Sequence, residues 1–252
     1  MRLNPNNDPT QYAKELQETG SVTIDNFLTE ESANFLYRYF SQEMDDTEWW
    51  SASYPTGFAK DADTRNLPEN REKILEEKQR AINAYVRGDF AYHFYRTFDN
   101  HVTECECTEC KFRAWLLSPE MIKFFHEVSG ETYTSYNATF ASKYSDGCFL
   151  APHTDQWRGD IGFVLQLTKN WWPQWGGLLH FLDETTKMNS FNDTILKVAH
   201  KQPKVVAETQ VPRFNSLTLF HLPEQSGRWH YVSHVNPGVK QSRIAYSGWF
   251  KK

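Results

Sequence analysis

Residues 148–155 read CFLAPHTD and end in the triplet His153-Thr154-Asp155. In an extended strand, side chains i and i+2 point to the same face. His153 and Asp155 can therefore reach one ion together. Such triplets are common by chance, so the weight of this one comes from its setting. It closes the second of a run of short segments with period-two alternation, and that run sets the fold class.

The run begins after Gly130. Strands are expected at Thr132–Tyr144, Cys148–Asp155, Ile161–Thr168, Gly177–Leu182, Val205–Val211, Ser216–Leu222, Trp229–Val235 and Ser242–Phe250. Turn residues mark the breaks, as in Ser145-Asp146-Gly147, Trp175-Gly176-Gly177 and Asn236-Pro237-Gly238. A continuous run of short strands argues for a β-sandwich or barrel. For this number of strands the closed form is a jelly roll, the double-stranded β-helix. Periodicity alone does not separate it from other barrels; the metal motif does.

Ahead of the run the pattern is different. Ser21–Phe27 alternates weakly and reads as a strand. Thr29 follows as an N-cap, with Glu30 and Glu31 in the first turn, where the helix dipole favours negative charge. That helix runs to about Met44 and buries Phe35, Leu36, Tyr39 and Phe40. Pro68 suits the first turn of a helix over Glu69–Arg87, Gly88 interrupts, and an aromatic segment reaches Phe98. Ser118-Pro119-Glu120 starts a further helix and Gly130 stops it. The first half is thus expected to be mainly helical. Residues 1–130 form an N-terminal strand and supporting helices, in one domain with a mainly β core at 131–252. Glu48–Arg65 lacks periodicity; its Trp49, Trp50, Tyr54 and Phe58 either pack under a loop or wall a pocket.

Composition bounds the partners. With 39% apolar residues, 252 residues suffice for a real core, and the net charge of -5 is of mixed sign. Nothing resembles the basic stripe that phosphate-backbone binding needs, so no nucleic acid is expected. Met1–Pro9 has no apolar signal region, and no later run is long enough to span a bilayer. The expectation is a cytoplasmic protein with no membrane contact. Of the four cysteines, Cys105, Cys107 and Cys110 are crowded together, with His101 just before them. A disulfide framework does not suit a chain of this size without a secretion signal. The cluster reads either as a structural zinc site or as a solvated loop with spare thiols among Glu104, Glu106 and Glu109.

A metal held by His153 and Asp155 needs a third ligand from another strand at the same mouth. His221, His230 and His234 compete; all could face inward by alternation, and His230 and His234 share a face. Two imidazoles and one carboxylate, with open positions opposite, is the ligand set of non-haem Fe(II) oxygenases. On the last strand Arg243, Ala245, Ser247 and Trp249 share one face. A positive fork, a hydroxyl and an aromatic there suit a carboxylate. An arginine buried without an anion is costly, so Arg243 pairs either with an internal Asp or Glu or with a dicarboxylate cosubstrate. His93, His101, His126 and His200 are read as ordinary core or surface residues.

Taken in order, Tyr144-x8-His153-x-Asp155, Trp175-Gly-Gly-Leu-Leu-His180, Trp229-His230-Tyr-Val232 and Arg243-Ile-Ala-Tyr-Ser247-Gly-Trp249-Phe250 resemble the prolyl-hydroxylase-like branch of the Fe(II)/2-oxoglutarate dioxygenases. The resemblance covers about residues 130–252; the cysteine cluster and segment 183–204 have no counterpart in it. It implies iron ligation by His153, Asp155 and His230. It implies that Arg243 pairs with the distal carboxylate of 2-oxoglutarate, with Ser247 and Tyr144 assisting. Cofactors would be Fe(II), 2-oxoglutarate and dioxygen, with ascorbate as an accessory reductant. The carboxylate ligand is present, which favours hydroxylation over halogenation. The family points to a prolyl residue of a protein as substrate. A free amino acid or a natural product is the small-molecule alternative, and a non-catalytic metal-binding interaction module is the alternative of another class. Trp157 and Arg158 could line the substrate mouth.

Overall fold

All eight segments expected as strands after Gly130, and the strand expected from Ser21, are strands in the structure, a computed structural model that describes residues 1–55, 62–98, 105–155, 158–183, 206–222 and 229–252. The chain runs α1 (Pro9–Thr19), β1 (Ser21–Ile24), α2 (Glu30–Arg38), β2 (Trp50–Tyr54), β3 (Ala62–Arg65), α3 (Arg71–Val86), β4 (Tyr92–Arg96), α4 (Thr108–Leu116) and α5 (Pro119–Ser129). It continues through β5 (Ser135–Tyr144), β6 (Phe149–His153), β7 (Ile161–Gln166), β8 (Leu179–Leu182), β9 (Val206–Gln210), β10 (Ser216–His221), β11 (His230–Val232) and β12 (Arg243–Lys251).

The strands are antiparallel in the order β1-β10-β7-β12-β5-β4-β6-β11-β8-β9. The sheet turns over at β4. Tyr95 and Arg96 pair with Lys143 and Ser142 of β5, while Tyr92 and His93 pair with Leu150 and Phe149 of β6. The result is a jelly roll with helices on its outside. β12 shows how alternation builds it. Ile244, Tyr246 and Phe250 point outward into an apolar layer shared with Leu16 of α1, Leu36 of α2, Phe112 of α4 and Phe124 of α5. Burying each of these large side chains stabilises the fold by about 1.5–3 kcal/mol. Arg243, Ser247 and Trp249 point the other way, into the roll.

Local chemistry fixes the helix ends. Thr29 caps α2, Ser118 caps α5 with Pro119 in its first turn, and Gly130 at φ 76° closes α5. α2 continues past Arg38 as a π-helical turn over Tyr39–Glu43, which ends the helix where the sequence suggested, just before Met44. Gly176 has a different task. A Cβ there would lie 1.9 Å from the His234 carbonyl oxygen, and its φ of 73° with ψ of -152° is open only to glycine. This close approach pins the 173–177 turn against the chain leaving β11, through the Gly176–Val235 bridge.

The mainly helical expectation for the first half needs correction. Residues 48–65 and 92–96 supply strands β2, β3 and β4, and these join the same sheet. The aromatic run of β4 is strand, not an extension of α3. Both faces of β2 and most of β4 are covered, so neither shows the alternation that marks a half-exposed strand. Two helices, α1 and α4, were also absent from the sequence reading. Phe58, His101, Trp157, His200 and nearly all of segment 183–204 lie outside the described residues. Among the described residues, no helix is long and apolar enough to cross a membrane.

Candidate active site

His153 and His230 are cross-strand partners, on β6 and β11 respectively. Side chains paired in this way stand about 4.5–5.5 Å apart at Cβ, and the two rings lie 4.3 Å apart, centroid to centroid. Asp155, just past the end of β6, reaches both: its Oδ1 is 3.4 Å from His153 Nε2 and its Oδ2 is 3.3 Å from His230 Nε2. All three side chains are buried, and one donor atom from each lies within 4.8 Å of the others.

The His153 ring is held in one orientation. His153 Nδ1 is 3.0 Å from the Ala151 carbonyl oxygen. A carbonyl only accepts, so Nδ1 carries the hydrogen, and in the neutral ring Nε2 presents its lone pair. Burial, and then the neighbouring His230, hold the His153 pKa below that of an ordinary histidine. Burial by itself would raise the Asp155 carboxyl, but the close approach of the His153 and then the His230 ring outweighs it and holds it well below the usual carboxylate range. A ring lone pair facing a carboxylate needs a cation between them. The mixed nitrogen and oxygen set fits a first-row divalent ion such as Fe(II).

The other competing histidines are elsewhere. His234 lies beyond β11, its ring stacked 4.1 Å from Phe149 and packed against Tyr85 of α3. His221 is half-buried at the end of β10, opposite Ile161. Neither joins the cluster, although alternation left both open.

Arg243 opens β12 and is paired across the sheet with Tyr144 of β5. Its guanidinium sits 5.1 Å from the Tyr144 ring centroid and is 2% exposed. Among the described residues no carboxylate pairs with it, and its Nε has no hydrogen-bond partner. Burial lowers its pKa to about 10, against a smaller opposing effect of Tyr144, so it stays charged at neutral pH. The internal salt bridge that the sequence left open is therefore not among the described contacts. Burial raises the Tyr144 hydroxyl, which remains protonated.

These groups share one cavity of about 130 Å³, room for on the order of ten water-sized groups. The metal-ligand candidates, Tyr144, Arg243 and Ser247 line it. Trp249 and Arg158, which the sequence placed near the site, line it too, and so does a wall the sequence did not reveal, Phe90, Tyr92 and Phe94, with Arg96. The wall was hidden because its residues come from β4 and the loop before it, distant in sequence from every motif. The abundance of aromatics at 90–95 was the only signal. Of the 48–58 aromatics, Trp49 is core and Tyr54 backs the wall, stacked on Tyr92 and packed against Phe90.

Residues 139–251 match the family model of the 2OG-Fe(II) oxygenase superfamily. Over its β core the chain is similar to this superfamily. It is 30% identical over 140 residues to the mouse (Mus musculus) prolyl 3-hydroxylase OGFOD1; the match takes in 55% of this chain and 21% of that protein. A Burkholderia pseudomallei oxidoreductase of the 2OG-Fe(II) oxygenase family has the same fold, with a TM-score of 0.56 at 15% identity over 99% of this chain and 93% of that one. So does a Trichoplax adhaerens prolyl hydroxylase solved with a hypoxia inducible factor peptide, at a TM-score of 0.52 and 16% identity over 96% and 88%. Fe(II), 2-oxoglutarate and dioxygen are the cofactors that the family implies.

The Cys105, Cys107 and Cys110 cluster lies at the start of α4, on the outside of the roll. Burial, then contacts with Cys107 and Cys105, raise the Cys110 thiol to about 12.

Proposed function

We propose that the protein is a Fe(II)- and 2-oxoglutarate-dependent hydroxylase that oxidises an unactivated C–H bond of a prolyl residue in a protein. The observation that carries the cosubstrate is Arg243, a buried cation with no anion among the described residues, in the same cavity as the His153, Asp155 and His230 donors. A bidentate guanidinium matches a carboxylate.

His153, Asp155 and His230 would hold the iron, leaving one side of it open to the cavity. Iron and the keto acid together supply dioxygen activation, coupled to loss of carbon dioxide from 2-oxoglutarate. The remaining work belongs to the chain. Arg243 fixes the distal carboxylate of the diacid and so sets the direction of its keto end. Tyr144 supports the guanidinium from beneath, and Ser247, on the same face of β12, offers a hydroxyl to that carboxylate. Ala151 holds the His153 ring by its Nδ1 hydrogen. The Phe90, Tyr92, Phe94 and Trp249 wall keeps water from the reacting centre, and its ring faces suit a proline ring in an extended segment. Arg158, over the Trp249 ring at 5.3 Å, would meet the substrate at the mouth.

The reading of a non-catalytic module leaves the unpaired Arg243 without a purpose. Incubation with Fe(II), 2-oxoglutarate and ascorbate should add one oxygen atom to a proline-containing peptide library and form succinate in step. Asp155→Ala should remove both signals. Oxygen added to free amino acids but never to peptides would overturn the protein-substrate assignment and leave the dioxygenase class intact.

A further inference from the structure

The three thiols at the start of α4 play no part in the site above. Cys107 is the N-cap of that helix, in extended conformation at φ -66° and ψ 162°. The cap geometry turns its sulfur back over the first turn, where it accepts a hydrogen bond from the Cys110 backbone N–H at 3.4 Å. Cys110 sits in that first turn, and Cys105 is two residues before the cap. The three Sγ atoms all lie within 4.8 Å of one another. All three residues are half-buried, and none is in a disulfide. A solvated loop with spare thiols would scatter its sulfurs outward. Here they converge.

The platform beneath them is fixed. Glu109, the residue before Cys110, is buried, accepts a hydrogen bond from Thr97 Oγ1 at 2.8 Å and pairs with Arg113. Phe112 and Leu116 anchor the following turns in the core. Glu106, the nearby carboxylate in sequence, is engaged with Lys111 at 3.1 Å, which leaves an all-sulfur donor set.

We infer that Cys105, Cys107 and Cys110 form a second metal site, separate from the cavity, and that its ion is Zn(II). Thiolates gathered this closely repel one another unless a cation sits between them, and thiolate ligands select soft or borderline ions over those that a nitrogen and carboxylate set prefers. Zinc–sulfur bonds of about 2.3 Å put tetrahedral sulfurs about 3.8 Å apart, inside the present spacing, so closure needs little movement. Solvent would complete the four-coordinate shell. The bound ion would tie the chain before α4 to the helix itself, a link that stabilises without entering catalysis.

Cobalt(II) tests this, because sulfur-to-cobalt charge transfer absorbs strongly in the near ultraviolet while nitrogen and carboxylate ligands give no such band. Metal-stripped, reduced Asp155→Ala protein, in which the cavity triad is broken, should develop the band to saturation at one cobalt per chain. One equivalent of Zn(II) should abolish it. Cys107→Ser, Cys110→Ser and Cys105→Ser should each lose it. Serine is itself a favoured N-cap, so Cys107→Ser leaves the helix start intact, and circular dichroism would verify this. No band from the folded protein, or a band that survives the serine variants, would overturn the site. A band removed by Cu(I) but not by Zn(II) would overturn the choice of zinc.

Discussion

Among the described residues two arginines are buried, Arg113 and Arg243, and they are buried for opposite reasons. Arg113 of α4, 7% exposed, is met from inside the protein: its Nη2 pairs with Glu109 at 3.4 Å and its Nε donates to Thr139 Oγ1 at 2.9 Å. Thr139 in turn accepts from the Tyr246 hydroxyl at 3.0 Å, so the network reaches β12 from the outer side. Arg243, on the other face of β12, has an aromatic ring beneath it and no carboxylate among the described residues. Alternation along one strand separates the two environments. A charge neutralised from within belongs to the fold. A charge left for something else to neutralise marks a binding site, because the protein carries its desolvation cost until the ligand arrives.

Substitutions can break this contrast. The largest effect is expected from Arg113→Ala, which strands the Glu109 carboxylate in the core. Urea denaturation should show a loss of about 3–5 kcal/mol, while 2-oxoglutarate affinity in the surviving folded protein stays within a fewfold of normal. Arg243→Met should do the reverse. The variant, free of cosubstrate, should be as stable as the parent or more so. Its KM for 2-oxoglutarate should rise about 100-fold, the usual scale for truncating one partner of a buried charge pair. If Arg243→Met unfolded the protein as readily as Arg113→Ala, the two arginines would be equivalent and the contrast would fail.

A buried imidazole sharpens the point. His93 of β4 is fully buried, with Ser53 Oγ 2.8 Å from its Nδ1 and no hydrogen-bond partner on Nε2 among the described residues. Burial, with a smaller push from Lys78, lowers its pKa to about 3. In the unfolded chain it titrates near 6.5. Between these values the unfolded state holds the extra proton, so stability is flat above pH 6.5 and falls as the pH drops below it. The contribution should be about 2 kcal/mol between pH 7 and pH 5. Parallel denaturation of His93→Gln should show a shallower fall by that amount; identical slopes would mean that His93 is not held neutral. The smallest effect is expected from Ser247→Ala. Loss of one hydroxyl from the carboxylate site should raise the KM for 2-oxoglutarate less than tenfold, about 1 kcal/mol, with kcat unchanged.

What could be read in advance follows the same physics. The eight C-terminal strands were legible because turn residues bound short strand-forming runs, even in β7 and β10, which are covered on both faces. His153, Asp155 and Arg243 were legible from strand periodicity, whereas alternation left His221, His230 and His234 in competition and only the family resemblance singled out His230. The rest depends on contacts between distant segments. β2 and β4 are covered on both faces and look like undifferentiated aromatic loops. α1 begins with a good signal, Asp8 accepting from Thr10 and Pro9 at its first position, but it follows an Asn-rich stretch and buries only Leu16, so its apolar stripe is faint. α4 starts on a cysteine cap, which no ordinary rule for helix starts anticipates. The aromatic wall and the Ala151 carbonyl that sets the His153 tautomer belong to the folded molecule alone.

The central claim is that one cavity holds both a metal triad and an anchor for a keto diacid. Fe(II) and 2-oxoglutarate titrated together into the protein without oxygen test it most directly, since bidentate chelation of a keto acid to Fe(II) gives a weak visible charge-transfer band. The account predicts a band that saturates at one iron per chain, is absent in Asp155→Ala, and needs about 100-fold more 2-oxoglutarate in Arg243→Met. A folded wild-type protein that gives no band, or one whose band ignores both substitutions, would contradict it.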